Sequence, residues 1–313
     1  TTKKTEQGYS KNNKRSAISI GGEITKKQGK LLHYNIRGEL AIAGEDAGQF
    51  SVEGRGDLNL RLFGDTVRLD VNAFIKNQNP VFYFRHFQSK HYWWDNNDLS
   101  KIMKTRLEGK LSLDRWGTQL RAGVENIKNY TYLANTSIPV KDSEGNVTGF
   151  KNNAAVRQHS GNIQIFTAML QQKLKVGIFH LDGEVAYQKS SEQDILPLPE
   201  LSAYGNLYMK FGLAKKVLQI EMGADVRYFS KYYAPDYSPV IGQFYNQNPD
   251  DKIEIGAFPI VNVYANLHLK RTRFFIMMYH VNAGSGKSNY FLAPHYPINP
   301  RMIKFGLSWN FFD

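Results

Sequence analysis

One glycine-rich segment contains residue types that could bind a phosphate. Gly284–Ser288 reads GSGKS, which has the composition of the end of a phosphate-binding loop, where backbone N–H groups and a lysine hold the phosphates. The complete motif also needs a glycine at position 281 and a helix after the loop, but this chain has Val281 and no helical pattern follows. We therefore interpret the segment as a flexible surface loop.

A second segment could bind a hard cation through oxygen atoms. Asp95–Asp98 reads DNND, and carboxylate and amide oxygens are ligands for calcium. We favour a polar loop tip that follows Trp93 and Trp94. The eight histidines show no pair at metal-site spacing, the chain has no cysteine, and a Gly-x-Ser-x-Gly nucleophile motif is absent. The sequence therefore predicts no catalytic residues, no metal and no cofactor, and we expect that the chain is not an enzyme.

Aromatic side chains are concentrated in two predicted connections. The segment from Pro80 to Trp94 contains seven of them, and the segment from Tyr232 to Tyr245 is rich in tyrosine and proline. One interpretation, which we favour, is that these loops fold over the mouth of a larger structure and pack on each other. The other is that they line a constriction or bind a partner.

The elements that carry these residues are predicted from a two-residue period. Between Phe50 and Leu62, apolar or glycine residues alternate with polar ones, which is typical of a strand with one apolar face. Similar alternation covers thirteen segments between residues 15 and 312. These segments are about 10–14 residues long, which exceeds the usual soluble strand of about 5–6 residues and suits a tilted membrane span.

The predicted connections alternate in length. Short turns are expected near 63–65, 115–117, 173–175, 214–216 and 270–271, and long loops near 77–103, 131–160, 189–201, 231–257 and 283–300. Short turns at one end and long loops at the other are the pattern of bacterial outer-membrane barrels. No apolar run approaches the roughly 18–20 residues of a membrane helix. We therefore predict an all-β, antiparallel transmembrane barrel of about 12–14 strands over 15–313, after a polar basic segment 1–14.

The alternation also predicts which side chains face water and which face lipid. The predicted lumen-lining residues are Arg37, Glu39, Glu53, Arg55, Asp57, Arg61, Arg68, Asp70, Arg106, Glu108, Lys110, Lys210, Glu221, Asp225, Arg227 and Lys304. The predicted lipid-facing residues are Leu58, Leu60, Val67, Leu69, Val71, Leu107, Leu111, Ile220 and Leu307. Phe305, Trp309 and Phe311 form a predicted terminal-strand signal, and we interpret Tyr130, Tyr132, Tyr187, Tyr228, Trp309 and Phe311 as an interfacial aromatic girdle. Breaks in the pattern near 126–127 and at Gly177 predict β-bulges.

The net charge of +12 and the sequence pI near 9.5 suggest nucleic acid or a membrane surface as a partner. Charges of both signs are close to balance in the predicted lumen, and much of the excess lies near the amino end, in Lys3, Lys4, Lys11, Lys14, Arg15, Lys26, Lys27 and Lys30. We expect outer-membrane lipid and lipopolysaccharide as partners, with other outer-membrane proteins as a further option, and no nucleic acid.

Several motifs resemble one family of membrane proteins. They are HYWWDN at 91–96, QHSGNIQ at 158–164, LPLP at 196–199, KYYAP at 231–235, GQFYNQ at 242–247, YFLAPHYP at 290–297 and KFGLSWNFFD at 304–313. Together they make the chain similar to the "putative porin" family of Bacteroides-type outer membranes. The resemblance implies an outer-membrane barrel with a pore function and no catalytic residues, and family chains that are typically longer than this one.

Two functional hypotheses follow. The first is passive diffusion of small polar solutes through the lumen, and the second is a non-conducting structural or docking barrel in a larger transport, secretion or assembly complex. A TonB-dependent transporter fits poorly, because about 22 strands around a plug are too many for 313 residues. Since single-chain bacterial barrels have even strand numbers, thirteen segments also predict that an odd number of further strands is needed. The polar Thr1–Arg15 is not a signal peptide, so we expect a mature or trimmed form.

Overall fold

The computed structural model describes residues 15–62, 64–287 and 289–311. The predicted basic segment 1–14, with Lys3, Lys4, Lys11 and Lys14, lies outside the described residues. Among the described residues no helix has the length and apolar character needed to cross a membrane.

In the described part of the chain, thirteen strands form one antiparallel sheet in which each of these strands pairs with the next one in the sheet. They are β1 (Ala17–Lys26), β2 (Leu32–Gly44), β3 (Phe50–Leu62), β4 (Asp65–Gln78), β5 (Ile102–Leu113), β6 (Thr118–Asn135), β7 (Ala154–Val176), β8 (Phe179–Ser190), β9 (Leu201–Leu213), β10 (Leu218–Phe229), β11 (Ile260–Leu269), β12 (Thr272–Tyr279) and β13 (Met302–Trp309). The number of strands and the all-β antiparallel architecture predicted from the two-residue period are confirmed. The sheet does not close on itself within the described residues, and β1 and β13 lie at its two edges.

The connections lie at two ends of the sheet and differ in length. At one end, turns cover 27–31, 114–117, 177–178, 214–217 and 270–271, and Gly64 lies in the turn between β3 and β4. At the other end, connections cover 45–49, 79–101, 136–153, 191–200, 230–259 and 280–301. One short turn requires a glycine, because Gly117 has φ +61° and a Cβ there would lie 2.3 Å from the carbonyl oxygen of Lys173. The second end therefore carries five long loops, as well as the short connection 45–49.

The structure corrects several predicted boundaries. Residues 131–135 and 154–160 belong to β6 and β7 rather than to a loop over 131–160, which leaves 136–153 as the connection. Gly177 lies in a turn, with φ +62°, and is not a bulge. The irregularity in the β6–β7 pair falls between His159 and Asn162, opposite Asn129, which has φ +60°. These strands are longer than predicted because the irregularity reverses the alternation without ending the hydrogen-bonded ladder.

The loops contain small elements of their own, outside the main sheet. A short helix, α1 (Phe82–Arg85), is followed by a hairpin of His86–Gln88 with Trp93–Asp95. The connection 136–153 contains a hairpin of Ile138–Lys141 with Val147–Lys151. The segment near 80–87 therefore forms no strand of the main sheet.

The pairing register separates the strands into two faces. We call the face that carries Glu53, Arg55 and Asp57 the polar face, and the opposite face, which carries Val52 and Leu58, the apolar face. Because directly paired residues in an antiparallel sheet point to the same side, the register extends both faces across all thirteen strands. Every residue predicted to line the lumen lies on the polar face, and every residue predicted to face lipid lies on the apolar face.

The two faces should differ in their tolerance of charge, and Val71 and Asn72 offer adjacent positions for the comparison. We expect Val71→Lys to destabilise the protein by about 2–4 kcal/mol if the site lies at the bilayer midplane, because the ammonium group would face lipid. Asn72→Lys should be mild, since Asn72 lies on the polar face level with Glu108. The folded fraction in lipid vesicles, measured over a urea series, tests this, and equal penalties would contradict the assignment of faces. Ser112 is not a suitable polar-face control, as it is only 1% exposed.

Candidate functional site

The polar face of strands β2 to β6 carries several groups of ion pairs. Lys110 lies 3.0 Å from Asp70, which also lies 3.3 Å from Arg68. The pairing register explains this contact, because Asp70 on β4 is level with Lys110 on β5. The carboxylate of Asp70 therefore bridges two basic side chains on adjacent strands.

A second carboxylate lies between two arginines. Glu108 on β5 contacts Arg106 on its own strand and lies 4.0 Å from Arg121 on β6. Arg106 also lies 4.0 Å from Glu125. These four side chains are partly exposed, and such pairs contribute only about 0–1 kcal/mol to stability. Their main physical effect is to place charges of both signs side by side along the polar face.

The same interleaving continues toward β2. Glu53 contacts Lys76 and lies 4.0 Å from Arg55, and Arg37 lies 3.8 Å from Glu39. Since each acidic group has a basic neighbour, this part of the face has no uncompensated ring of one sign. The near balance of charge predicted from the sequence corresponds to direct pairs in space.

Strands β9 to β11 carry a different set of polar-face side chains. Tyr204, Asn206 and Tyr208 alternate along β9, and Tyr264 lies on β11. The Tyr264 hydroxyl donates a hydrogen bond to Asn206 Oδ1 at 3.1 Å. The bond passes over the intervening strand β10 close to Gly223, which has no side chain. Sequence reasoning missed these residues, because charge was the only signal used to select lumen-lining positions. Their alternation with apolar residues could have identified them.

A buried polar chain links this part of the polar face to the loops. Asn262 donates from Nδ2 to Asp225 Oδ1 at 2.9 Å, and its Oδ1 accepts from the backbone N–H of His280 at 2.9 Å. His280 is 0% exposed and its Nδ1 lies 3.0 Å from the carbonyl oxygen of Asn299. Because a carbonyl only accepts, Nδ1 carries the proton. The hydrogen bonds therefore connect β10, β11 and the loop 280–301.

The long loops pack on one another, as the favoured interpretation of their aromatic residues predicted. Tyr92, Trp94 and Leu133 are buried in one cluster with Ala154 and Ile241. Trp94 and the ring of Phe87 stack with centroids 4.6 Å apart, and Trp94 donates from Nε1 to the carbonyl oxygen of residue 83 at 2.7 Å. We give the name loop layer to this cluster and to the loops 79–101 and 230–259, which contribute Tyr92, Trp94 and Ile241 to it. Burial raises the pKa of Tyr92.

One loop in the loop layer crosses a large part of the sheet. The connection 230–259 begins at β10, yet Asn246 exchanges backbone hydrogen bonds of 2.8 Å with Leu133 and Asn135 on β6. The loop therefore reaches back past β7, β8 and β9. Its Ile241 carbonyl also accepts a 2.9 Å hydrogen bond from the hydroxyl of Tyr83, in the loop 79–101. Loops from distant strands thus meet over one end of the sheet.

The loop 280–301 joins the same layer through the loop 230–259. Asp236 lies 3.2 Å from His295, and the ring of Tyr237 lies edge-on to that of Tyr296, with centroids 5.7 Å apart. His280 contacts the rings of Phe258 and Tyr290. These contacts extend the loop layer from β4 to β13.

The other candidate sites from the sequence have ordinary surroundings. Ser288 lies outside the described residues, Gly284 and Gly286 have positive φ, and no helix follows them among the residues that the structure describes. Asp95 pairs with His86 at 2.6 Å rather than presenting its carboxylate to a cation. In the described part of the chain no group of three or more His, Cys, Asp or Glu could hold a metal ion.

The apolar face carries Phe305 and Trp309 of the predicted terminal-strand signal, and Tyr187 and Tyr228 of the predicted girdle. Phe305 is 82% exposed and Trp309 is also exposed, both on β13. Phe311 follows the strand, and its ring stacks on that of Trp309 with centroids 5.7 Å apart. Two predicted lipid-facing residues, Val67 and Ile220, lie on this face but are buried by neighbours. Contact with lipid at these positions stays a prediction.

A family model described as "Putative porin" matches residues 1–313, which is the whole chain. No curated protein sequence matches it.

Solved structures of outer-membrane TonB-dependent receptor barrels resemble the fold. The copper transporter OprC is 12% identical with a TM-score of 0.62, over 93% of this chain and 48% of that chain. The ferric enterobactin receptor PfeA of Pseudomonas aeruginosa is 13% identical with a TM-score of 0.61, over 93% and 45%. The FrpB iron transporter from Neisseria meningitidis is 13% identical with a TM-score of 0.57, over 94% and 46%. This chain thus spans less than half of each structure, and at such identities the similarity shows the fold alone.

Trp94 is the side chain whose removal should loosen the loop layer most. We expect Trp94→Ala to destabilise the loop layer by about 3–5 kcal/mol, because it removes a large ring that is 5% exposed and leaves a cavity. Amide hydrogen exchange should then become faster in residues 79–101 and 230–259. Trp116→Ala is the matched control, since Trp116 is 55% exposed in a short turn. Unchanged exchange in Trp94→Ala would show that the cluster does not hold these loops.

Proposed function

This chain belongs to the "Putative porin" family of bacterial outer-membrane β-barrels, and we propose that it forms part of a pore for passive diffusion of small polar solutes. The open sheet makes it part of a larger barrel, because an unpaired strand edge in lipid would leave N–H and C=O groups without hydrogen bonds. β1 and β13 are separated by an even number of antiparallel steps, so they run in the same direction. Antiparallel closure therefore requires an odd number of additional strands.

The observation that carries the proposal is the continuous polar face. Ionisable or amide side chains occupy it on all thirteen strands of the main sheet, while most paired positions of the opposite, apolar face hold apolar or glycine residues. In a closed barrel one such face lines the interior and the other meets lipid. A polar interior of this kind can hold water and allows hydrated solutes to pass.

The pairing of charges predicts weak ion selectivity. Asp70 and Glu108 each lie between basic groups, so the field of either sign is largely cancelled within about 4 Å. Strong selectivity in pores comes from rings of a single charge. A pore lined by this face should therefore admit both small cations and small anions.

A second candidate function is a docking barrel without a conducting lumen, and the loop layer is the observation that favours it. The loop 230–259 reaches from β10 to β6 and meets the loop 79–101. Such a crossing loop narrows the opening at its end of the barrel. The exposed hairpin Ile138–Lys141 with Val147–Lys151 would then be available to another outer-membrane protein.

Conductance separates the two functions. The full-length protein, purified from its native outer membrane and reconstituted in planar bilayers, should give steady ionic current with a cation-to-anion permeability ratio near one, because the face is mixed in sign. Native electrophoresis without heating should verify that the barrel is folded. Silent bilayers from folded protein would reject the pore and favour the docking barrel.

Glu108 offers a test of the polar face as the pore lining. Glu108→Gln should shift permeability toward anions, because Arg106 and Arg121 lose the carboxylate between them. One unit charge at about 4 Å in water is worth about 1 kcal/mol, so the permeability ratio should change by up to about fivefold. Reversal potentials in a salt gradient measure it.

Glu144→Gln is the matched control for that measurement. Glu144 lies at the exposed tip of the hairpin in the connection 136–153, away from the polar face of the strands. The same loss of one negative charge there should leave the reversal potential unchanged. Equal shifts in both variants would mean that the measurement reports overall charge rather than the pore lining.

A further inference from the structure

The polar face is divided into two chemically different regions. Across β2 to β6 it carries paired ions, whereas across β9 to β11 it carries tyrosine and amide side chains between a few paired charges. We call Tyr204, Asn206, Tyr208, Tyr264 and Asn266 the tyrosine patch. Tyr208 and Tyr264 lie midway along their strands. An aromatic girdle lies on the lipid side near strand ends, so it does not explain these rings.

The backbone brings the rings of the tyrosine patch together. Tyr208 and Tyr264 flank Gly223 on β10, level with it in the register. A Cβ at Gly223 would lie 2.4 Å from the Leu207 carbonyl oxygen and 2.5 Å from Tyr208 Cβ. Only glycine allows such a close approach of Tyr208, and the Tyr264 hydroxyl can then bond to Asn206.

The rings are oriented by neighbours rather than loose. The Tyr208 ring stacks on His180 with centroids 4.8 Å apart and planes 12° apart. The guanidinium of Arg227 lies 5.8 Å from the centroid of Tyr204, which is 37% exposed. A ring held in this way loses little conformational entropy when a ligand stacks on its open side.

Hydrogen-bonding groups surround the rings and are themselves fixed. Asn266 donates to Glu221 at 3.3 Å and accepts from Arg273 at 2.9 Å. The ions of this region are paired, with Lys210 at 3.7 Å from Glu221 and Arg227 at 4.0 Å from Asp225. Charges of both signs therefore lie beside the rings, and a ligand with many hydroxyls meets both donors and acceptors.

From this combination we propose that the tyrosine patch is a binding site for a neutral saccharide inside the lumen. The apolar C–H face of a sugar ring stacks on a tyrosine ring, and its hydroxyls, each a donor and an acceptor, bond to the amides and paired ions. This proposal rests on the proposed pore function, because it names the solute that the polar face would retain during passage.

Equilibrium binding is the direct test. The full-length protein, in a detergent without a sugar headgroup, is titrated in a calorimeter with maltohexaose, cellohexaose and mannohexaose, and with a poly(ethylene glycol) of similar mass as the control. At least one saccharide should bind with a dissociation constant of about 1 mM or below, and the poly(ethylene glycol) should not. Absence of binding by all three saccharides, or equal binding of the polymer, overturns the proposal.

Substitutions then locate the site. Tyr208→Ala and Tyr204→Ala should each weaken binding about tenfold or more, while Tyr208→Phe, which keeps the stacking ring, should lose less. Phe74→Ala is the matched control, because it removes an aromatic ring from the polar face on β4, in the region of paired ions. Should Tyr208→Ala fail to fold, the more exposed Tyr204 still carries the test. Wild-type affinity in Tyr204→Ala, or an equal loss in Phe74→Ala, overturns the assignment.

Conductance distinguishes this proposal from the proposed function. Ionic conductance without saccharide binding would support the pore function and reject the tyrosine patch as a sugar site. Saccharide binding that depends on Tyr204, without ionic current, would support the saccharide site and reject the pore function. If both hold, maltohexaose or another bound saccharide should reversibly reduce the ionic current, and Tyr204→Ala should abolish that reduction.

Discussion

The requirement that backbone N–H and C=O groups be hydrogen-bonded when no water can reach them underlies the whole structure. It explains why, in the main sheet of the described residues, the eleven inner strands each pair with two neighbours and only β1 and β13 have an unpaired edge. It also explains the alternation of side chains, since a strand paired on both edges can present residues only above and below the sheet. The two faces, and therefore any lumen, follow from that pairing.

The polar face shows how one geometry supports two kinds of surface. On β2 to β6, direct cross-strand neighbours such as Asp70 and Lys110 pair, so charge is compensated at contact distance. On β9 to β11, Gly223 replaces a side chain and Tyr208 and Tyr264 fill the space above it. The first surface suits small hydrated ions of either sign. The second surface offers rings and amides, which favour a solute with an apolar face and hydroxyl groups.

The loop layer adds a constraint that the strands do not impose. Because Trp94 is buried by residues from separate connections and the strand β6, none of these loops can move far without exposing apolar surface. The buried Asn262 links the layer to Asp225 on the polar face and to the backbone of His280. These two hydrogen bonds therefore connect the loop that begins at His280 to the polar face.

The sequence by itself determined the strand number and the two-faced sheet, because a two-residue period repeated over long segments leaves few other arrangements. Its short motifs indicated the family. It did not decide the faces of 272–282, where both sets are apolar; pairing with β13 places Phe274 and Ile276 on the apolar face and Phe275 on the polar face. The position of the β6–β7 irregularity at Asn129, the tyrosine patch and the crossing of the loop 230–259 to β6 also required the tertiary structure. Each of these depends on contacts between residues far apart in the chain, which a local pattern does not encode.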